Sequence, residues 1–393
     1  MYKSFVWQLC FSIRDRFYLQ YFKRNRKLMQ TDQVTQTFYK QATSSLQLEA
    51  SDISKLVRIG VIGCGRIGQL HIDNINSRIA NAQVVCVSDF IPNAAIQVAK
   101  KFHIPMACTK HEDLLDHAKV DAVIVCSPTD THAQIIKDAA KRGIHVFCEK
   151  PIDTQLAVIR DAIQTTKQYG IKFMVGFQRR FDRNFQRVLE ARKSGSLGDP
   201  LKLTLISRDP APPPMEYLKQ SGGIFLDQAI HDFDMARFLM GEDIVEIYAT
   251  GFARDPKVAE IGDIDNATCH VKFQSGAIGI IDNARETHYG YDQRAELFGS
   301  KGTISIDNDF PNTAHTLSPN GLTSDLPLHF FMERYSNAYL EEMQAFIRCL
   351  QENKPVPVGG EEGLIPVVYS EAAKKSFQEN RPVLVKEIDP SLP

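Results

Sequence analysis

The run RIGVIGCGRIG, residues 58–68, constrains the fold more than any other stretch. An apolar strand breaks into a glycine turn, and a helix follows. Gly63 permits the tight turn, Gly65 lets a pyrophosphate come close to the backbone, and Gly68 lets the helix pack on the strand. The free N–H groups of the first helical turn, at Arg66 and Ile67, then face the anion. A second strand, residues 83–88, ends at Asp89, about 20 residues past the last glycine, where a ribose-binding carboxylate belongs. Together these features point to a dinucleotide site. The competing reading is a turn that only packs, with Asp89 an ordinary loop residue. Asp89 can accept from a ribose 2′-OH and repels a 2′-phosphate, which favours NAD over NADP; Arg66 near the turn argues the other way.

From residue 57 to about 152, strand and helix patterns alternate. Residues 92–102 read as a helix with Pro92 in its first turn. Residues 121–126, DAVIVC, form a continuous apolar run, the mark of a strand covered on both faces. A helix over 129–142 stops at Gly143, a strand over 145–148 ends at Glu149-Lys150-Pro151, a helix over 153–169 stops at Gly170, and a strand covers 171–176. Such alternation predicts α/β architecture with a doubly wound parallel sheet. After about Arg180, strands follow one another: 201–207, 245–252, 267–273, 277–283, 293–298 and 303–306. One helix (223–240) comes early and two (335–352, 361–377) come late. The second part therefore reads as an α+β domain with an open, mainly antiparallel sheet. Its late helices fold back toward the first domain. The expected division is 1–56 as a loosely ordered extension, 57–178 for the dinucleotide domain and 179–385 for the second domain.

The 393 residues include 43% hydrophobic residues, enough to bury cores for two domains, and the net charge of −1 offers no general attraction to nucleic acid or an anionic membrane. No apolar run reaches the roughly 18 residues of a membrane span. The eight cysteines are scattered with no C-x-x-C pair, which suits reduced thiols in a cytoplasmic protein and argues against a disulfide frame or a metal site. Residues 1–28 are aromatic and basic, with Asp15 the lone acid. They read either as a mitochondrial transit segment or as sequence upstream of a start at Met29.

Several polar groups fall at strand ends. Ser127-Pro128-Thr129 closes one strand and opens a helix, so it can border a cofactor; His132 in the next turn is either a further contact or a surface or capping histidine. Glu149 and Lys150 are held at another strand end because Pro151 cannot continue the ladder. A lysine there can stabilise a hydroxyl oxygen as it loses its proton; the alternative is a structural ion pair with Glu149. Asp227 and His231 stand four apart on the helix expected over 223–240, with Asp234 on the same side. A carboxylate beside an imidazole orients it and makes it more basic, as removal of an alcohol proton requires, although such pairs are also common structural features. Asp282, Asn283, Arg285, Tyr289, Tyr291 and Asp292 suit a polyhydroxylated ligand, or else aromatic packing in a hairpin. Gln178, Arg179, Arg180, Arg208 and Asp209 add polar groups where the two domains meet.

The motifs GVIGCGRIGQLH, CEKPI, GFQRRFD, SGGIFLDQAIHDFDMARFLMG and DNARETHYGYDQRAELFGSKG resemble the Gfo/Idh/MocA oxidoreductase family over residues 57–382, and the last two resemble its inositol 2-dehydrogenase branch. The resemblance implies a Rossmann domain that binds NAD and a polyol substrate, myo-inositol above scyllo-inositol or glucose. It implies Lys150 as catalytic lysine, His231 as general acid/base and Asp227 as the acid that assists them. Gln178, Arg179, Asp209 and Tyr291 would meet the polyol together with Lys150, Asp227 and His231. Asp209 stands where some inositol dehydrogenases have asparagine. A homotetramer and chemistry without a metal are further implications. Some relatives are non-catalytic sensors that have lost the lysine or histidine, and both are present here.

Overall fold

A computed structural model describes residues 56–393; the readings for the N-terminal extension fall outside them. Six strands form a parallel sheet: β1 (Val57–Ile62), β2 (Ala82–Ser88), β3 (Met106–Cys108), β4 (Ala122–Val125), β5 (His145–Glu149) and β6 (Phe173–Gly176). Their order is β3-β2-β1-β4-β5-β6. The order reverses between β1 and β4, which opens a crevice at the carboxyl ends of those strands. Helices cover both faces, so the strands are apolar throughout; Ala122 to Val125 are all 0% exposed. The short strand β3 and the helix His111–His117 after it were not anticipated, since three residues carry too little periodicity.

The second sheet has seven strands: β7 (Pro200–Arg208), β8 (Ile244–Phe252), β9 (Asn266–Phe273), β10 (Ile278–Ala284), β11 (Asp292–Gly299), β12 (Gly302–Ile306) and β15 (Val383–Leu384), in the order β12-β11-β7-β10-β9-β8-β15. All pairings are antiparallel except β7 with β10. Strands β13 (His315–Ser318) and β14 (Gly321–Ser324) form a separate exposed hairpin. Helices cover the inner face of the large sheet, burying Leu203, Leu205, Ile247, Val271 and Ile281. One of them, Arg183–Lys193, was missed. It starts at Asp182, whose side chain accepts from the backbone N–H groups of Asn184 and Phe185.

Helix Gly360–Glu379 lies so close to the parallel sheet that a Cβ on Gly363 would come within 2.6 Å of Ile152 and 2.9 Å of Val175. Helix Ser336–Gln351 packs on helix Arg66–Arg78.

The helix expected over 223–240 is instead two, Ile224–Asp227 and Ile230–Met240. Gln228 breaks it. Its amide donates to the carbonyls of Ser207 on β7 (3.1 Å) and Ala284 on β10 (2.9 Å), two acceptors that a continuous helix would not reach.

The glycine turn sets a firm limit on substitution. A Cβ at Gly68 would lie 2.0 Å from the carbonyl oxygen of Gly63. Gly68→Ala should therefore push the helix off the turn and cost about 1–3 kcal/mol of stability, measured by urea unfolding.

Candidate active site

The crevice begins at the turn after β1. Gly63 has φ +99, and a Cβ there would strike the backbone of Cys126 at the end of β4. Gly65 precedes helix Arg66–Arg78, and no side chain caps that helix. A Cβ on Gly65 would meet no atom within 4 Å, so the backbone here borders open space that a ligand can fill. Asp89 closes the far side: its carboxylate accepts from the N–H of Cys64 (2.8 Å) and of Ile91 (2.9 Å). Arg66 turns away from the turn, its guanidinium 5.1 Å from the centre of the Phe330 ring. This combination of uncapped helix, open glycine and fixed acid fits a dinucleotide.

The ends of β4 and β5 form the next wall. Ser127 is half-buried and its hydroxyl lies 2.6 Å from that of Thr131; Thr129, also half-buried, starts the following helix. His132 does not reach the crevice. It is 2% exposed, and its two ring nitrogens face the carbonyls of Pro151 and Ser127, each at 2.8 Å. It braces the segments that follow β4 and β5, which corrects the expectation of a cofactor contact. Glu149 accepts from His71 Nε2 at 2.8 Å rather than pairing with Lys150. Lys150 instead reaches across to the second half of the molecule, where its Nζ donates to the carbonyl oxygen of Asp227 at 2.9 Å.

Asp227 and His231 do not form the expected pair. The break at Gln228 separates them, and the Asp227 carboxylate turns to Arg285 (2.9 Å) and to the Tyr217 hydroxyl (2.7 Å). His231 Nδ1 is buried without a hydrogen-bond partner, and its ring stands edge-on to Phe177. Burial, followed by the positive charges of Lys150 and Arg179, holds the His231 pKa well below its ordinary value. The imidazole is therefore neutral near pH 7, the form that can accept a proton. Burial also lowers the Lys150 pKa, against the opposing pull of Asp227 and Glu149.

The remaining expected residues divide into two groups. Asp209, half-buried at the end of β7, feels the charges of Asp227, Arg285 and Arg179; burial first, then Asp227, push its carboxyl up to about 7. Gln178 (4% exposed) and Arg179 (3%) lie on the one-turn helix Gln178–Phe181. Arg179 is committed to Asp232 (2.7 Å), Ser207 (3.0 Å) and the hydroxyl of Tyr291 (3.4 Å), so its contribution to the cluster is charge. Others lie elsewhere. Asp234 turns from His231 to the buried guanidinium of Arg180. Arg285 is 0% exposed and sits behind Asp227 instead of meeting a ligand. Arg208, Asp282, Tyr289 and Asp292 bond to one another on the outer side of the sheet.

Two contributors were not foreseen. Tyr217 follows the proline run at 212–214, and only its bond to Asp227 reveals it. Asp263 accepts from Ile224 N–H (3.0 Å) and Arg285 (3.4 Å), which seats the start of helix Ile224–Asp227. Neither has a local motif that could announce it.

Comparison with known proteins fits this geometry. Residues 57–177 match a family model described as the Gfo/Idh/MocA oxidoreductase family, NAD-binding Rossmann fold, and residues 185–305 match the C-terminal domain model of the same family. The chain is 44% identical over 333 residues to the myo-inositol 2-dehydrogenase of Thermotoga maritima, covering 84% of this chain and 99% of that protein. It is 39% identical to the inositol 2-dehydrogenase of Rhizobium meliloti, with 84% and 99% covered. A crystal structure of the Lactobacillus casei scyllo-inositol dehydrogenase with NAD(H) and scyllo-inositol superposes with a TM-score of 0.80 at 30% identity, covering 84% and 99%.

Asp209 gives the cluster a measurable signature. Its folded pKa is raised, so the stability linked to its proton is present below the ordinary 3.8 and is lost as pH rises to about 7. Asp209→Asn should flatten the stability curve across that window and stabilise the fold at pH 8, by on the order of 2 kcal/mol, read from denaturant midpoints at a series of pH values.

Proposed function

The chain belongs to the Gfo/Idh/MocA oxidoreductase family, and from that premise we propose that it is an NAD-dependent inositol 2-dehydrogenase. Its substrate is myo-inositol or a close cyclic polyol, and its product the 2-keto inositol. The observation that carries this reading is the 2.9 Å bond from Lys150 Nζ to the Asp227 carbonyl oxygen. It joins the end of a dinucleotide-domain strand to the helix break that presents His231. Relatives named for inositol oxidation support the choice of substrate.

Gly63, Gly65, Arg66, Ile67 and Gly68 would hold the cofactor's pyrophosphate, Asp89 its ribose, and Ser127, Thr129, Glu149 and Lys150 border its reactive end. NAD+ supplies the hydride acceptor when bound. Neutral His231 takes the hydroxyl proton at Nε2, since Nδ1 is buried. The ammonium of Lys150 stabilises the oxygen as it becomes an alkoxide. Asp227 fixes Lys150 through its main-chain carbonyl, and its carboxylate, held by Arg285 and Tyr217, balances the positive charge. Asp209, Arg179, Gln178 and Tyr291 shape the polyol pocket, and Asp209 selects among hydroxyl patterns.

The enzyme acts as a cytoplasmic homotetramer in this reading. All seven cysteines among the described residues are free thiols, in keeping with a reducing compartment. The outer face of the large sheet exposes Phe252 (60%), Ile278 (37%) and Phe298 (46%), an apolar surface suited to a second copy. No described helix is long and apolar enough to cross a membrane.

With NAD+ and myo-inositol, NADH absorbance should rise on adding the purified chain. Lys150→Ala and His231→Ala should each lower kcat by about 100-fold or more with the fold intact by circular dichroism. His231→Ala should also remove the acid limb of the kcat/KM profile. Turnover near the wild-type rate in either variant would sink the mechanism.

Cofactor choice is a separate test. Asp89→Ser should raise kcat/KM for NADP+ relative to NAD+ by about tenfold or more. An unchanged ratio would remove Asp89 as the selector.

A further inference from the structure

Glu342 lies on the inner side of helix Ser336–Gln351, where it is 0% exposed and neither carboxyl oxygen makes a hydrogen bond. It faces His71 from helix Arg66–Arg78 and Glu149 at the end of β5. One side-chain atom from each of the three lies within 4.8 Å of the others. His71 Nε2 is 2.8 Å from Glu149 Oε1, and the ring is set edge-on against Phe147 and Tyr339. The other titratable groups around the cluster are Tyr339, Cys126 and Cys148, with Lys150 following Glu149.

Two carboxylates this close, one of them fully buried, disfavour double ionisation. Glu149 has the His71 N–H as donor and keeps 15% of its side chain exposed. Glu342 has no donor and no route to solvent, so it takes the proton. Burial, and then the Glu149 charge, hold its carboxyl well above the ordinary glutamate value.

We propose that Glu342 is a positioning residue that keeps its proton at neutral pH and offers its O–H to Glu149, so that His71 and Glu342 together hold Glu149 as one oriented negative charge beside Lys150. The role at Lys150 rests on the dehydrogenase reading; the location of the proton does not.

The test uses the full chain at pH 8, where Asp209, at about 7, is largely ionised. Wild type should show the infrared C=O stretch of a protonated carboxylic acid, and Glu342→Gln should lack it. The amide of Glu342→Gln can still donate to Glu149, so kcat should stay within about twofold of wild type, whereas Glu342→Leu should lose about tenfold in kcat with little change in polyol KM. A missing acid band, or one that survives in Glu342→Gln, overturns the proposal. So does a Gln variant as impaired as the Leu variant, or a stoichiometric metal ion that is lost with Glu342→Gln. Should Glu342→Leu fail to fold, the infrared comparison still decides. If the acid band behaves as expected but no polyol is oxidised, the proton assignment stands and the substrate reading fails.

Discussion

Buried arginine–aspartate pairs govern how the second half of this molecule meets the first. Arg179 holds Asp232 (2.7 Å), Arg180 holds Asp234 (2.5 Å), Arg285 holds Asp227 (2.9 Å) and Arg334 holds Asp182 (2.6 Å). None of these arginines is more than 7% exposed. Such pairs add little net stability, because desolvation offsets most of the attraction. Losing one partner is another matter, since the remaining charge would be stranded. The pairs therefore act as registers: each is satisfied in one arrangement of the strand β6 exit, the broken helix at 224–240 and the large sheet. The site inherits its geometry from that arrangement.

The same pairs set the electrostatics. Arg179 is tied to Asp232, yet its charge still reaches His231 and Asp209. Lys150 adds to it, and burial first, then these two cations, hold the imidazole neutral. Asp227 answers those cations while its own carboxylate is fixed by Arg285 and Tyr217. The carboxylate does not orient the histidine; it keeps Lys150 and Arg285 from facing each other without a counter-charge. A proton acceptor beside a cation is thus stabilised without direct contact between acid and base.

What the sequence disclosed follows the range of each interaction. The glycine turn, Asp89 and the alternating strands are local, and periodicity with turn chemistry reports them well. The Lys150 position was legible because Pro151 must end a strand. Asp227 and His231 were identified as neighbours, but the helical face they were expected to share is broken by Gln228, whose amide seeks carbonyls on two distant strands. Spacing cannot report a tertiary partner of that kind. Asp234 was placed beside His231 and Arg285 toward a ligand for the same reason, when each had a partner of opposite charge far along the chain. His71 and Glu342 carried no signal, because their cluster exists only once the late helix has folded back.

The dipeptide Glu149-Lys150 shows how one strand end can serve two layers. Side chains alternate along β5, so Phe147 and Glu149 face the same side. That side is where His71 and Phe346 pack on Phe147 and where Glu342 waits behind Glu149. Lys150 leaves on the opposite side and crosses to Asp227. Shifting the chain by one residue would exchange the two, burying an ammonium among aromatic rings and pointing a carboxylate at the Asp227 carbonyl oxygen. Neither is tolerable, since one strands a charge in an apolar layer and the other sets two acceptors face to face. The register of this strand is therefore fixed by charge as well as by apolar packing, and the lysine is delivered to the seam by the same constraint that buries the acid beside it.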